Sequence, residues 1–579
     1  MKKRVLSIIT LVAGLCFTAQ AASSSWNVDA NSQWTNTLSW TAGVPGIANG
    51  TASADVATFS TALTADRTVT VDNNRNIGGI TFGNTGTNGY TLATGTIKLS
   101  DGGVIQSLSG TGGTNKITST VSLMGDGTFS ANATAARGVL VIGAVFGVAG
   151  KTLTLDGNTS VLGNSVGAIN GGGLAVVKNG TGVWNFRNST FTGGFTLNSG
   201  TVSFDSGGVL GLGTGLVTIN GGTLGAGGSD RNLTNSVLVN GNFGLGNSGA
   251  KLTFSGGMDL NGATRTITNN TSRTSIISGA VSNGGLNLAG AGTLVLSGAN
   301  TYSGNTTLSA GTLTISNTLA LQNSTLVYSA GTAKFASGIT DFTLGGLSGS
   351  KAMGLTNMSG TAIALTVGNN SSNTAYSGVL SAGGSLTKTG TGTLTLSGVN
   401  TYTGATTIAA GKLLVDGSLA SDVTVQNGGT LGGTGTLQKV TLDAGAILAA
   451  GDSPGTMTFM DDVLMSAGST NIMEITDTAH DILMGDNANT LTMDGTTVFD
   501  FTGFTGGVTN GYTIALNDMF TNWVSVVTTG ATYSATGLTG GQSLDFTGGN
   551  LTVIPEPATI GMLGLGALIT MMIRRMRIC

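Results

Sequence analysis

Few residues in this chain could do chemistry. It has one histidine, His480, and two glutamates, Glu474 and Glu556; its two cysteines, Cys16 and Cys579, lie near opposite ends. A metal centre needs several His, Cys or carboxylate ligands at ligand spacing, and no such cluster stands in the sequence. Tandem Gly-Gly-x-Gly-x-Asp nonapeptides of calcium rolls are also missing. Asp461-Asp462 reads as a solvated turn and His480, between Ala479 and Asp481, as an exposed loop histidine. A Ser-His-Asp triad needs that histidine and a nucleophile elbow, and no elbow is evident. Gly244-Leu-Gly246-Asn-Ser-Gly249 fits G-x-G-x-x-G, but 98 glycines in 579 residues give about three chance matches. Gly147-Val-Ala-Gly150-Lys151-Thr152 fails as a phosphate loop because the first required glycine is Val145. Glycoside cleavage needs two carboxylates placed together, and one glutamate plus scattered aspartates is thin material. The expectation is no enzyme: no catalytic residue, no metal and no cofactor.

The two ends carry addresses instead. Lys2, Lys3 and Arg4, an apolar run from Val5 to Phe17, and Ala19-Gln20-Ala21 form a secretory signal peptide over 1–21, cleaved after Ala21. Export through the secretory translocon follows. At the other end Pro555-Glu556-Pro557 precedes an uncharged run, 558–573, and a basic cluster of Arg574, Arg575 and Arg577. Sixteen residues of helix span roughly 24 Å, slightly under the hydrocarbon core of about 30 Å. The arginines can snorkel and stay cytoplasmic. This pattern predicts a short transmembrane helix that holds the chain in the inner membrane. It resembles the PEP-CTERM family of bacterial sorting tails across Val553 to Arg577. That resemblance implies an exosortase partner and processing near the triplet.

Between the ends, 8% of the full chain is charged and the formal net charge is −3, so no basic field points to nucleic acid. Neither cysteine falls in the exported body, so no disulfide supports it. Thr/Val/Leu alternation such as Thr293-Leu294-Val295-Leu296 and Thr393-Leu394-Thr395-Leu396, broken by Gly pairs, predicts many short strands.

One block repeats. Residues 290–313 and 390–413 agree at 16 of 24 positions, and a divergent copy occupies 180–202. Each reads strand, turn, strand, turn, strand, a unit too small to bury a core without stacked neighbours. Stacking predicts a parallel β-helix or β-solenoid with coils of roughly 20–24 residues. The block resembles the autotransporter-associated β-strand repeat of exported passenger domains through Gly292, Thr293, Leu294, Leu296, Gly298, Asn300, Thr301, Tyr302, Gly304 and Gly311, with equivalents from Gly392 to Gly411. Leucines should point inward, glycines should turn corners, and Asn and Tyr should stack or hydrogen-bond between coils. Trp26, Trp34 and Trp40 ahead of Asp55–Phe59 look like a cap, and Ala450-Gly451-Asp452-Ser453-Pro454-Gly455-Thr456 resembles a solenoid exit.

The expected fold is all-β: a parallel β-solenoid body with a C-terminal transmembrane helix and a cleavable N-terminal signal helix. Its parts are a signal peptide (1–21), a Trp-rich cap (22–59), the solenoid (60–456), a smaller β-segment (457–552) and the sorting tail (553–579). The expected function is an exported structural or adhesive surface protein, membrane-anchored before processing and then at the cell surface or extracellular, with extracellular polysaccharide as a partner. The alternatives are a polysaccharide-active β-helix enzyme (lyase or glycoside hydrolase) and an autotransporter-like adhesin passenger.

Overall fold

A computed structural model describes residues 23–132, 138–160, 163–204, 211–246, 250–270, 274–451, 454–505, 507–528 and 530–555. Ala19, Ala21, Glu556, Pro557, Arg574, Arg575 and Arg577 lie outside them.

Period-two alternation decides the local structure. In Thr293–Leu296 and Thr393–Leu396 the threonines face out and the leucines are fully buried or nearly so. Such strands are three to five residues long because a glycine corner follows. Their partners lie one coil earlier and one coil later, and the ladders are parallel. Thr293–Leu296 pairs with Thr274–Ile277 on one side and Thr312–Ile315 on the other. This is the expected parallel β-solenoid: each coil leaves its strands incompletely bonded until the next coil lies on it.

The chain forms two compact units, 1–229 and 230–579. In the first, Trp26, Trp34 and Trp40 are buried against Phe59, with Trp26–Trp40 and Trp34–Phe59 ring centres 5.0 and 5.8 Å apart. Each indole N–H donates to a carbonyl, of Val28, Pro45 and Trp34 respectively. The following coils step by 24 residues, from Ile97 to Val121, Val145 and Ile169. In the second unit the step is 19 residues from Thr274 to Thr293 to Thr312, and 17 from Thr406 to Val423 to Val440. Coil length therefore ranges below the expected 20–24, because a tighter corner needs fewer residues while the strands keep register. Parallel pairing continues past residue 456 to Thr532–Thr536, which lies on Thr496–Asp500. Thr513–Ala515, Gln542–Asp545 and Asn550–Pro555 form a separate three-stranded antiparallel sheet.

The helical parts of the expected fold are corrected. No helix of the described residues is long and apolar enough to cross a membrane; the α-helix seen there, Leu516–Met519, has four residues. The transmembrane helix placed at 558–573 and the signal helix in 1–21 fall outside the described residues, and what the described residues form is an all-β solenoid. The membrane-anchored stage of the expected localisation, which rested on that helix, falls with it.

Candidate functional site

The repeats are coil-building units with specialised corners. Asn300 is buried; its Oδ1 accepts from Val281 N at 2.8 Å, one coil back, and its Nδ2 donates to Ala320 O at 2.9 Å, one coil on. Asn400 repeats this with Leu380 N and Ser418 O. Beside it the Tyr302 hydroxyl meets Thr306 Oγ1 at 2.7 Å, which meets Ser324 Oγ at 2.8 Å. Tyr402, Thr406 and Ser421 form the same chain at 2.6 and 2.7 Å. Burial pushes the Tyr302 hydroxyl up to about 12, so it stays a protonated donor. The asparagines bond between coils as expected, whereas each tyrosine bonds a threonine of its own coil and that threonine reaches the next coil. In the divergent copy Ser189 takes the asparagine's place, accepting from Ile169 N at 3.3 Å, and Phe191 stands where the tyrosines do.

Two buried lysines escaped the sequence reading. Lys178 and Lys388 are 0% and 1% exposed. Lys388 Nζ donates to the carbonyls of Thr389, Gly390 and Ala410 at 2.7, 3.0 and 3.2 Å. Lys178 Nζ does the same to Asn179, Gly180 and Ser199. Each ammonium ties a glycine corner to the next coil. Burial lowers the Lys178 ammonium to about 8, and the charge of Asp156 opposes that loss. In the middle repeat the same position is Leu288, fully buried. The available signal was the inward phase of the strand alternation, where a lysine is unexpected.

The body's lone glutamate does meet other titratable groups. Glu474, Asp481, Asp500 and Lys412 border a hollow of about 250 Å³. Asp481 is buried, and burial pushes its carboxyl up to about 6. Both its oxygens are engaged: Oδ1 accepts from Gly455 N at 2.8 Å and Oδ2 from Glu474 N at 2.7 Å. The carboxylate clamps the turn at Gly455 to the strand Thr470–Thr476. His480 is half-buried rather than exposed, because it bridges back to Ile475 across a tight loop; its Nε2 has no partner among the described residues. Asp461 and Asp462 are exposed and accept backbone N–H groups of a turn and of Thr490. Among the described residues no group of three or more His, Cys, Asp or Glu is placed to hold a metal ion. Gly244 lies inside the strand Phe243–Leu245, and Gly147–Lys151 joins two strands, so neither glycine motif opens a helix that could cradle phosphate.

Of the sorting triplet only Pro555 is described. It is the last residue of the strand Asn550–Pro555 and faces Gln542 in the antiparallel pair. Proline is tolerated there because the ladder ends with it.

Three segments, 176–204, 286–315 and 386–415, match the passenger-associated-transport-repeat. They contain the three blocks recognised in the sequence, together with both buried lysines and the Asn–Tyr corners. No curated protein matches the chain significantly. The chain is a parallel β-solenoid carrying passenger-type transport repeats.

Proposed function

We propose that this chain is an exported, passenger-type structural or adhesive protein that performs no catalysis. The observation that carries this reading is how the matched repeats use their polar groups. Asn300, Tyr302, Lys388, Asn400 and Tyr402 all bridge coils or corners, so the repeats build length and present surface. The outer face of the second unit suits hydrogen bonding to sugar hydroxyls. Thr387, Thr407, Thr424 and Thr441 stand in one half-buried file across successive coils, about 4.8 Å apart. Extracellular polysaccharide is the partner this reading assigns.

Culture fractionation with intact mass tests export: the protein should appear outside the cell beginning at Ala22. Retention in the cytoplasm with residues 1–21 attached would overturn it. Processing by an exosortase at Pro555-Glu556-Pro557 is a finer proposal supported by the sequence pattern alone. Loss of the residues after the triplet in the same mass spectrum is its expected result, and an intact C-terminus its refutation. A depolymerisation screen on neutral and acidic polysaccharides should show no activity; turnover abolished by Glu474→Gln would replace the structural reading with an enzymatic one.

A further inference from the structure

The repeat pattern breaks once between the second and third matched segments, and the break leaves a cleft. One sheet of the second unit runs through Arg231–Leu233, Leu252–Phe254, Thr274–Ile277, Thr293–Leu296 and Thr312–Ile315 to Thr332–Phe335, and stops there. Beyond that strand a single bridge, Phe335 to Asn357, continues the ladder. After Met353–Gly354, which pairs in parallel with Leu380–Ser381 of the next coil, the chain turns back through an antiparallel bridge between Thr356 and Ala362. Buried Asn357 fixes this detour: its Nδ2 donates to Ile339 O at 3.1 Å, and its Oδ1 accepts from Ser359 N and Thr361 N at 3.0 and 3.1 Å.

The cleft between the strand and the detour holds about 470 Å³, within the roughly 300–1,000 Å³ usual for small-ligand sites. Phe335 and Met353 are buried beneath it, and Met358 lies 57% exposed on its wall. Thr332, Lys334 and Thr356 supply two hydroxyls and an ammonium. Among the described residues none of these three side chains has a hydrogen-bond or ion-pair partner. That sets Lys334 apart from Lys178 and Lys388, whose charges are spent inside the coil. An apolar floor matches the C–H face of a sugar ring, the hydroxyls match its hydroxyls, and the ammonium calls for an anion. A neutral sugar would leave Lys334 unused; a fatty chain would leave both threonines unused.

We propose that this cleft binds a carboxylate-bearing sugar unit, with the carboxylate on Lys334 and the ring over Met358 and Phe335. It deepens the polysaccharide-adhesion reading and rests on it for the source of the ligand. The test titrates the purified exported protein with an oligogalacturonate and with a neutral oligoglucan of equal length, by calorimetry. Uronate binding should weaken on the order of tenfold to a hundredfold in Lys334→Ala, the effect of losing one charge-assisted bond, and should fall with salt. Met358→Ala should weaken it while keeping the salt dependence. Both side chains are exposed, so circular dichroism should be unchanged. No uronate binding at millimolar concentration, equal binding by Lys334→Ala, or equal binding of the neutral oligomer would overturn the cleft assignment. Retention of the wild-type protein in the polysaccharide matrix is measured in parallel. If retention persists while the cleft test fails, adhesion stands and this site falls; if retention is absent while the oligomer binds, the adhesive reading falls instead.

Discussion

Lys388 sits where a leucine would be expected, and the middle repeat does place a leucine there. Two solutions to one position separate what the corner needs from what it uses. The ammonium satisfies three carbonyls, against a desolvation cost of several kcal/mol for a buried ion. Leu288 shows that the corner closes without the charge. Lys388→Leu is therefore expected to lower stability by only about 1 kcal/mol, and Lys388→Ala by about 2–4 kcal/mol because a cavity is added. Equilibrium denaturation of both variants checks this; equal losses would mean that the bonds outweigh the packing. Asp481 gives a pH signature. Its folded carboxyl titrates near 6 against an ordinary 3.8, so the folded chain binds that proton more tightly. The stabilisation is complete below pH about 4 and is lost as pH rises through 6, about 2–3 kcal/mol in all. Asp29, held well below the carboxylate range by the Arg67 guanidinium, works in the opposite sense. The readout is thus the difference between wild type and Asp481→Asn, which should shrink from pH 4 to pH 7. A flat difference would refute the assignment. Neither residue was legible in the sequence: charged side chains are seldom fully buried, and nothing in the spacing shows that Asp481 reaches Gly455.

At the scale of elements the sequence was far more open. Inward leucines, glycine corners and the stacked repeat all follow from period two and from self-similarity at 290–313 and 390–413, and the strands lie where those signals put them. Corner conformation makes a sharp prediction. Gly311 has φ +72°, and a Cβ there would stand 2.5 Å from the carbonyl oxygens of both Gly290 and Gly292. Gly257 has no positive φ, and a Cβ would come no nearer than 3.8 Å to Ala280 O. Gly311→Ala should cost more than about 2 kcal/mol, through left-handed strain and backbone clash, while Gly257→Ala should be near neutral. Thermal unfolding of the two proteins decides it, and comparable losses would show that the corners yield. The cleft was hidden for a different reason. Residues 350–363 repeat nothing, so self-similarity marks them only as a gap, and the amide of Asn357 that shapes them bonds to a loop 18 residues away. Coil length was hidden too, because 17- and 19-residue steps share the same alternation and differ only in how tightly the corners turn.

For the molecule as a whole, the arrangement of contacts predicts how it comes apart. A solenoid coil touches its neighbours and little else, so stability is a sum of local terms rather than one cooperative property. Without a disulfide in the body, nothing covalent ties distant coils together. The five tryptophans divide unevenly between the compact units: Trp26, Trp34, Trp40 and Trp184 in 1–229, and Trp523 in 230–579. In a Trp523→Phe background, fluorescence reports the first unit alone while circular dichroism reports both. The two probes should give transitions that do not coincide. Trp34 is fully buried, lies 5.1 Å from Trp40 and 5.8 Å from Phe59 between ring centres, and bonds Pro45 O. Trp34→Ala should cost about 3–5 kcal/mol and move the fluorescence transition to lower denaturant. The later part of the dichroism curve should stay in place, because a solenoid coil draws its stability from its immediate neighbours. If both probes move together instead, the local-sum picture is wrong and the cap governs the cooperativity of the entire chain. The cap has a second duty, since the strand Val56–Phe59 beneath it would otherwise offer an open ladder edge to another chain. Light scattering on Trp34→Ala should therefore show association at concentrations where the wild type stays dispersed, and a variant that loses stability without associating would confine the cap's role to packing.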